Sequence, residues 1–171
     1  KKLDAKFVFV SNNFRYGNKR EGNVFQLISL ENKYGYKIIK SEPKKINKKI
    51  VSSSLIRNLL EKGNLEKANK YLKRNWSIVG KVEKGRQLGK KLGFPTCNLN
   101  INEYVLAKPG VYAVKAKKKN DNLWIKGIAN LGYRPTFNQN KLLLEVHLFN
   151  FSGNLYDKYL TVEFLKFIRK E

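Results

Sequence analysis

From Trp76 onward the apolar residues come in short runs that alternate with polar ones and are separated by turn-forming residues. Residues 77–82, 110–117, 123–130, 141–150 and 160–164 read as strands, and Asn120-Asp121-Asn122 is a hairpin signal between two of them. Many short strands with turn signals predict an antiparallel barrel or sandwich. The first 74 positions are patterned differently. Residues 6–10 are an apolar run bounded by Ser11-Asn12-Asn13, which predicts a buried strand. Residues 12–22 are polar and basic and read as a loop. Val24, Leu27, Ile28 and Leu30 fall at helical spacing, predicting a helix over 24–34 that Gly35 ends as a C-cap residue. Residues 36–40 are a second strand. Strand, loop, helix and strand in this order form a βαβ fragment, which calls for a parallel sheet.

Residues 42–49 contain a proline and several lysines and read as a linker. Ser52-Ser53-Ser54 precedes an apolar helix start; its free N–H groups suit helix capping or a phosphate. Gly63-Asn64 breaks that helix and residues 65–72 form another. The expectation is therefore an α+β chain with two parts. Residues 1–74 are the closing fragment of an α/β domain, and residues 75–171 are an antiparallel β-barrel.

Composition narrows the class. An apolar fraction of 42% with 12% aromatic residues can build a packed core, which excludes wholesale disorder. One cysteine excludes an intramolecular disulfide and a Cys-rich zinc site. No apolar run approaches ~18 residues, and no charged-then-apolar leader opens the chain. The expectations are no membrane span and a cytoplasmic location; the composition gives no oligomeric state. Methionine is absent, also at position 1, so the expectation is that this is not a complete reading frame as translated. The net charge of +23 suits polyanions. It is spread evenly, however: residues 1–74 hold 19 Lys/Arg against 6 Asp/Glu, and residues 75–171 hold 17 against 7. Such diffuse basicity attracts a nucleotide without specifying a nucleic acid.

Candidate chemistry centres on residues 85–99, Gly-Arg-Gln-Leu-Gly-Lys-Lys-Leu-Gly-Phe-Pro-Thr-Cys-Asn-Leu. Gly85, Gly89 and Gly93 recur at four-residue spacing among Arg86, Lys90 and Lys91. Glycines let a backbone approach a ligand, and successive N–H groups make anion-binding concavities. Pro95 stiffens a corner that Thr96 and Asn98 leave two residues apart, on one face if extended. A hydroxyl and a carboxamide suit a hard cation such as magnesium. The stretch is not a P-loop, and spacing alone reads equally as a basic surface loop followed by a strand. Further on, Glu145 and His147 share one face of a strand with Leu143 and Phe149. A carboxylate there is either a solvated edge or a placed base.

These residues carry a resemblance. Gly93-Phe94-Pro95-Thr96-Cys97-Asn98-Leu99 resembles the Gly-Phe-Pro-Thr-Ala-Asn-Leu signature of riboflavin kinases. The likeness continues through Gly110-Val111-Tyr112-Ala113-Val114, Ala129-Asn130-Leu131-Gly132-Tyr133-Arg134-Pro135-Thr136 and Leu144-Glu145-Val146-His147-Leu148, and ends at Val162-Glu163-Phe164-Leu165. Upstream, residues 10–17 and Val51-Ser52-Ser53-Ser54-Leu55-Ile56-Arg57 resemble the end of the adenylyltransferase domain of bacterial bifunctional riboflavin kinase/FAD synthetases. Cys97, Ser11, Asn13 and Ser54 depart from those patterns.

The resemblance implies a six-stranded Greek-key barrel closed by a C-terminal helix, here confined to residues 165–170. It implies transfer of the γ-phosphate of ATP to the 5′-hydroxyl of riboflavin, giving FMN, with Mg²⁺ as cofactor. By resemblance Glu145 is the base, Thr96 and Asn98 serve the metal, and Asn98 also supports the transferring phosphoryl group. Gly85, Arg86, Gly89, Lys90, Lys91 and Gly93 hold the nucleotide. Tyr133, Arg134 and Phe164, with Phe137 and Phe167, are assigned to the flavin side; the aromatic ones read equally as core residues. His147 receives no catalytic role. Making FAD from FMN is expected only of a longer chain. The competing expectation is a basic barrel that binds single-stranded nucleic acid, for which Trp124 beside Lys126 supplies only a fragment of the required aromatic and basic interleaving.

Overall fold

The computed structural model describes residues 4–84, 95–101, 104, 107–136 and 139–170. It divides into two compact units, Lys1–Val51 and Ser52–Glu171.

In the first unit β1 (Phe7–Ser11) and β4 (Lys37–Ser41) pair in parallel, from Phe7 opposite Lys37 to Ser11 opposite Ser41. This is the strand pair of the expected βαβ fragment. Between them lie the small pair β2 (Arg15–Tyr16) and β3 (Gly22–Asn23), then α1 (Val24–Ser29) and α2 (Glu31–Tyr34). Asn23 and Gln26 form a reciprocal capping box that starts α1. The single helix expected over 24–34 is broken at Leu30, and Gly35 closes α2 in the left-handed region with φ 69°. The Glu31 carboxylate reaches across to accept from the Ile38 amide at 2.6 Å. Residues 42–49, expected as a linker, contribute instead to a two-residue ribbon of β5 (Lys45–Ile46) and β6 (Lys49–Ile50), turned through Asn47 and Lys48 at positive φ.

The second unit opens with α3 (Ser53–Glu61), capped by the Ser52 hydroxyl accepting from the Leu55 amide, and α4 (Leu65–Leu72). Six strands follow: β7 (Ser77–Glu83), β8 (Cys97–Asn100), β9 (Gly110–Lys118), β10 (Ile125–Thr136), β11 (Gln139–Leu148) and β12 (Tyr159–Arg169). They close into a barrel in the order β10, β11, β8, β7, β12, β9, with every adjacent pair antiparallel. Strands β9, β10 and β11 form a meander, and β12 returns to lie beside β9, which is a Greek key. Period-two alternation sends Ile78, Val82, Leu99, Val114, Leu131, Leu144, Val146 and Val162 inward, each at most 2% exposed. Helix α4 packs on the barrel through Asn69, which donates to the Phe164 carbonyl at 2.9 Å and accepts from the Trp76 amide at 2.7 Å.

One expectation is corrected here. Residues 165–169 are not helical: β12 runs through to Arg169, with bulges between Phe164 and Lys166 and between Phe167 and Arg169.

Candidate active site

The β8–β11 ladder sets Asn98 opposite Glu145, and the neighbouring ladders extend the same row in both directions. Glu83 on β7 lies opposite Asn98, and Asn130 on β10 lies opposite Glu145. Directly opposed residues share a face, so Glu83, Asn98, Glu145 and Asn130 cross four adjacent strands as one polar row. It lies on the outward face, because their chain neighbours Val82, Leu99, Leu144, Val146, Ala129 and Leu131 point into the core.

Asn98 is the anomaly of the row. It is the sole buried polar residue among the described ones, 7% exposed, and its Oδ1 has no hydrogen-bond partner among them. A buried acceptor left unmatched is costly and asks for a ligand. Two residues earlier, the exposed Thr96 lines a cavity of about 470 Å³ with Val82, Pro95, Cys97, Leu148 and Phe151. A second cavity of about 540 Å³ is bounded by Lys81, Glu83, Asn100, Tyr104 and Tyr159. Both volumes suit small organic ligands.

The corner is tied to β11. The Nδ1 of His147 lies 2.9 Å from the Pro95 carbonyl oxygen. A carbonyl only accepts, so Nδ1 carries the proton. The ring also rests edge-on against Phe149, with centroids 5.7 Å apart. Burial pushes the Cys97 thiol up to about 11, so Cys97 is a neutral small side chain at physiological pH, a mild substitute for alanine.

The other expected residues fall in three groups. Gly85, Arg86, Gly89, Lys90, Lys91, Gly93 and Phe137 lie outside the described residues. Tyr133 is half-exposed near the end of β10, three positions beyond Asn130, and Arg134 lies opposite Lys141 in the same ladder. Phe164 is fully buried, 4.6 Å from Trp76 and 5.1 Å from Tyr112 by ring centroids, and in this arrangement presents no face to a ligand. Phe167 packs edge-on against Tyr112 and under the Lys108 ammonium. Sequence reading did not single out Glu83 or Asn130 for the row. Asn130 stands within a family-like run, but only strand register reveals that it neighbours Glu145.

Fold and site define the class: a Greek-key barrel domain built around an oxygen-rich corner and a facing carboxylate. Residues 72–171 match the family model described as Flavokinase, riboflavin kinase, and the chain belongs to the riboflavin kinase family. It is similar to bifunctional riboflavin kinase/FMN adenylyltransferases. That of Haemophilus influenzae is 37% identical over 99% of this chain and 54% of the relative. That of Buchnera aphidicola subsp. Schizaphis graminum is 39% identical over 99% and 55%, and that of Escherichia coli K12 is 34% identical over 100% and 54%. The chain spans about half the length of the curated relatives it matches. A crystal structure of a macrolide-efflux protein from Streptococcus pneumoniae superposes with a TM-score of 0.77 at 26% identity, covering 97% of this chain and 53% of that one. Among the described residues no helix is long and apolar enough to cross a membrane.

Proposed function

We propose that the barrel phosphorylates riboflavin, moving the γ-phosphate of ATP onto the 5′-hydroxyl to give FMN. The observation that carries this reading is the register of Asn98 against Glu145, which sets a carboxylate beside the Pro95-Thr96-x-Asn98 corner in a chain of the riboflavin kinase family.

Phosphoryl transfer demands little covalent chemistry of the protein; positioning and charge stabilisation supply most of the rate. Glu145 accepts a hydrogen bond from the 5′-hydroxyl, aligns it with the γ-phosphorus and takes its proton late in the transfer. Asn98 offers its unmatched Oδ1 from a buried position, and Thr96 offers a hydroxyl at the cavity rim. Two neutral oxygens, one of them orphaned and buried, fit a hard cation, and Thr96 and Asn98 are the residues that would hold magnesium. When bound, that ion would offset the phosphate charge. The cavity beside Thr96 accommodates the nucleoside part of ATP. The basic glycine run of residues 85–93 holds the phosphates, and Tyr133 and Arg134 contact the flavin.

We further propose that residues 1–74 and 75–171 act as separate functional parts in the cytoplasm. In a longer chain the first part would serve FMN adenylylation. The test is incubation with riboflavin, ATP and magnesium, with flavins separated by chromatography and read by fluorescence. FMN formation above a protein-free control is expected; its absence from folded protein overturns the reading.

A further inference from the structure

The β8–β11 ladder is paired from Asn100 opposite Leu143 to Cys97 opposite Val146. Pro95 cannot extend it as a donor, because proline has no N–H. The segment that carries Thr96 therefore lies just beyond the end of this pairing. His147 bridges this point. It stands on the same face of β11 as Glu145, two residues on, and its Nδ1–H donates to the Pro95 carbonyl at 2.9 Å.

One ring contact and a closely packed backbone hold His147 in place. Its ring rests against Phe149. Its backbone lies opposite Ile128 in the β10 ladder. The adjacent Gly127 lets β10 come so close that an added Cβ would strike the His147 carbonyl oxygen. A fixed donor thus grips the peptide that leads directly into Thr96. Without it, the Pro95–Thr96 peptide, and with it the direction of the Thr96 hydroxyl, would lose this side-chain anchor, since the Pro95 ring fixes only its own φ.

We propose that His147 is a positioning residue of the kinase site: through the Pro95 carbonyl it sets Thr96 and Asn98 at the spacing from Glu145 that magnesium-bound nucleotide requires. The inference rests on the kinase reading above. It assigns the imidazole no proton transfer and no contact with substrate.

The experiment compares His147→Phe and His147→Asn with the parent chain. Phenylalanine keeps a ring against Phe149 and removes the donor; asparagine places its Nδ2 about where the histidine Nδ1 stood. Partners that orient metal ligands are typically worth about 10–100-fold in metal affinity or activity. His147→Phe is expected to lose that much in kcat and to need more magnesium for half-maximal rate, with the KM for riboflavin little changed. His147→Asn should recover most of the loss. Calorimetric titration with ADP, with and without magnesium, provides a readout free of turnover: the magnesium-dependent gain in affinity should shrink in His147→Phe and return in His147→Asn. Should His147→Phe fail to fold, His147→Gln replaces it, since its amide mimics Nε2 and is expected not to rescue. An active parent with unchanged magnesium dependence in the donorless variant overturns the inference. So does an asparagine variant no better than the donorless one. A parent chain that makes no FMN overturns the kinase reading instead, and the ADP titrations then decide the role of His147 by themselves.

Discussion

Asn98 and Glu145 face each other across the β8–β11 ladder, the first buried with an unmatched Oδ1, the second half-exposed on the same outward row. Opposed residues in an antiparallel pair keep their Cβ atoms about 4.5–5.5 Å apart. On the proposed reading, a phosphoryl group held by Asn98 and a hydroxyl held by Glu145 would meet without movement of the barrel. The proposal thus assigns two jobs to two strands, which makes each testable alone.

Glu145→Gln keeps shape and hydrogen-bonding capacity but removes the basic oxygen. General-base help is typically worth ~10²–10⁴ in rate. FMN formation should fall by a factor in that range while ADP binding, measured by calorimetry, stays close to the parent. Turnover within a few-fold of the parent would remove Glu145 from the base role.

Thr96→Val preserves the branched shape at the corner and deletes the oxygen. Affinity for ADP should drop more with magnesium present than with the metal chelated. Equal losses under both conditions would make Thr96 a purely structural part of the Pro95 corner.

Much of this was legible in the sequence, for physical reasons that differ by element. Strands β7, β9, β10 and β11 follow period-two patterns between turn residues. Gly35 acts as the expected C-cap because it sits in the left-handed region. The error at residues 165–170 has another origin. The helix there was implied by the family likeness alone; in the structure β12 stays paired with β9 through Arg169, its register shifted by two bulges. Glu145, Thr96 and Asn98 could be singled out by residue type and family likeness. The row they share with Glu83 and Asn130 could not, because cross-strand register is a tertiary property.

Glu163 provides a pH test away from the site. Burial raises its acidity constant's pKa, but hydrogen bonds from Asn75 at 2.8 Å and Lys115 at 3.0 Å outweigh that and hold it below the ordinary 4.5. A depressed folded-state value stabilises the protein above the unfolded value, and the benefit disappears as pH falls through the folded one. The melting temperature of the parent should exceed that of Glu163→Gln at neutral pH, and the gap should close as pH is taken below about 4.5. A gap independent of pH would mean that packing, not charge, is the contribution.

Gly127→Ala tests the close approach of β10 to β11. The new methyl would meet the His147 carbonyl oxygen, a backbone atom that cannot swing aside. Overpacking of this kind typically costs about 1–3 kcal/mol. Denaturant melts should show a loss of that size, together with reduced magnesium dependence if His147 is displaced. A neutral result would show that the two strands can part locally at no cost.

The last expectation concerns residues 1–74. The 171-residue polypeptide, taken by itself, should make FMN and no FAD. The likeness of residues 1–74 to an adenylyltransferase implies a His-x-Gly-His signature that holds nucleotide phosphates, and that requires two histidines. The sequence contains one, His147, which stands on β11 of the barrel and donates to Pro95. The parallel pair β1 and β4 also leaves Phe7 and Phe9 60% and 70% exposed. Parallel strands are stable when both faces are covered, so this pair is not by itself a finished nucleotide-binding sheet. Ser52 spends its hydroxyl on the Leu55 amide at the start of α3. Supplied with FMN, ATP and magnesium, the polypeptide should yield no FAD above a protein-free control, while the same preparation converts riboflavin to FMN. Catalytic FAD formation would show that the two-histidine signature is dispensable, and residues 1–74 would then have to be read as a complete adenylyltransferase.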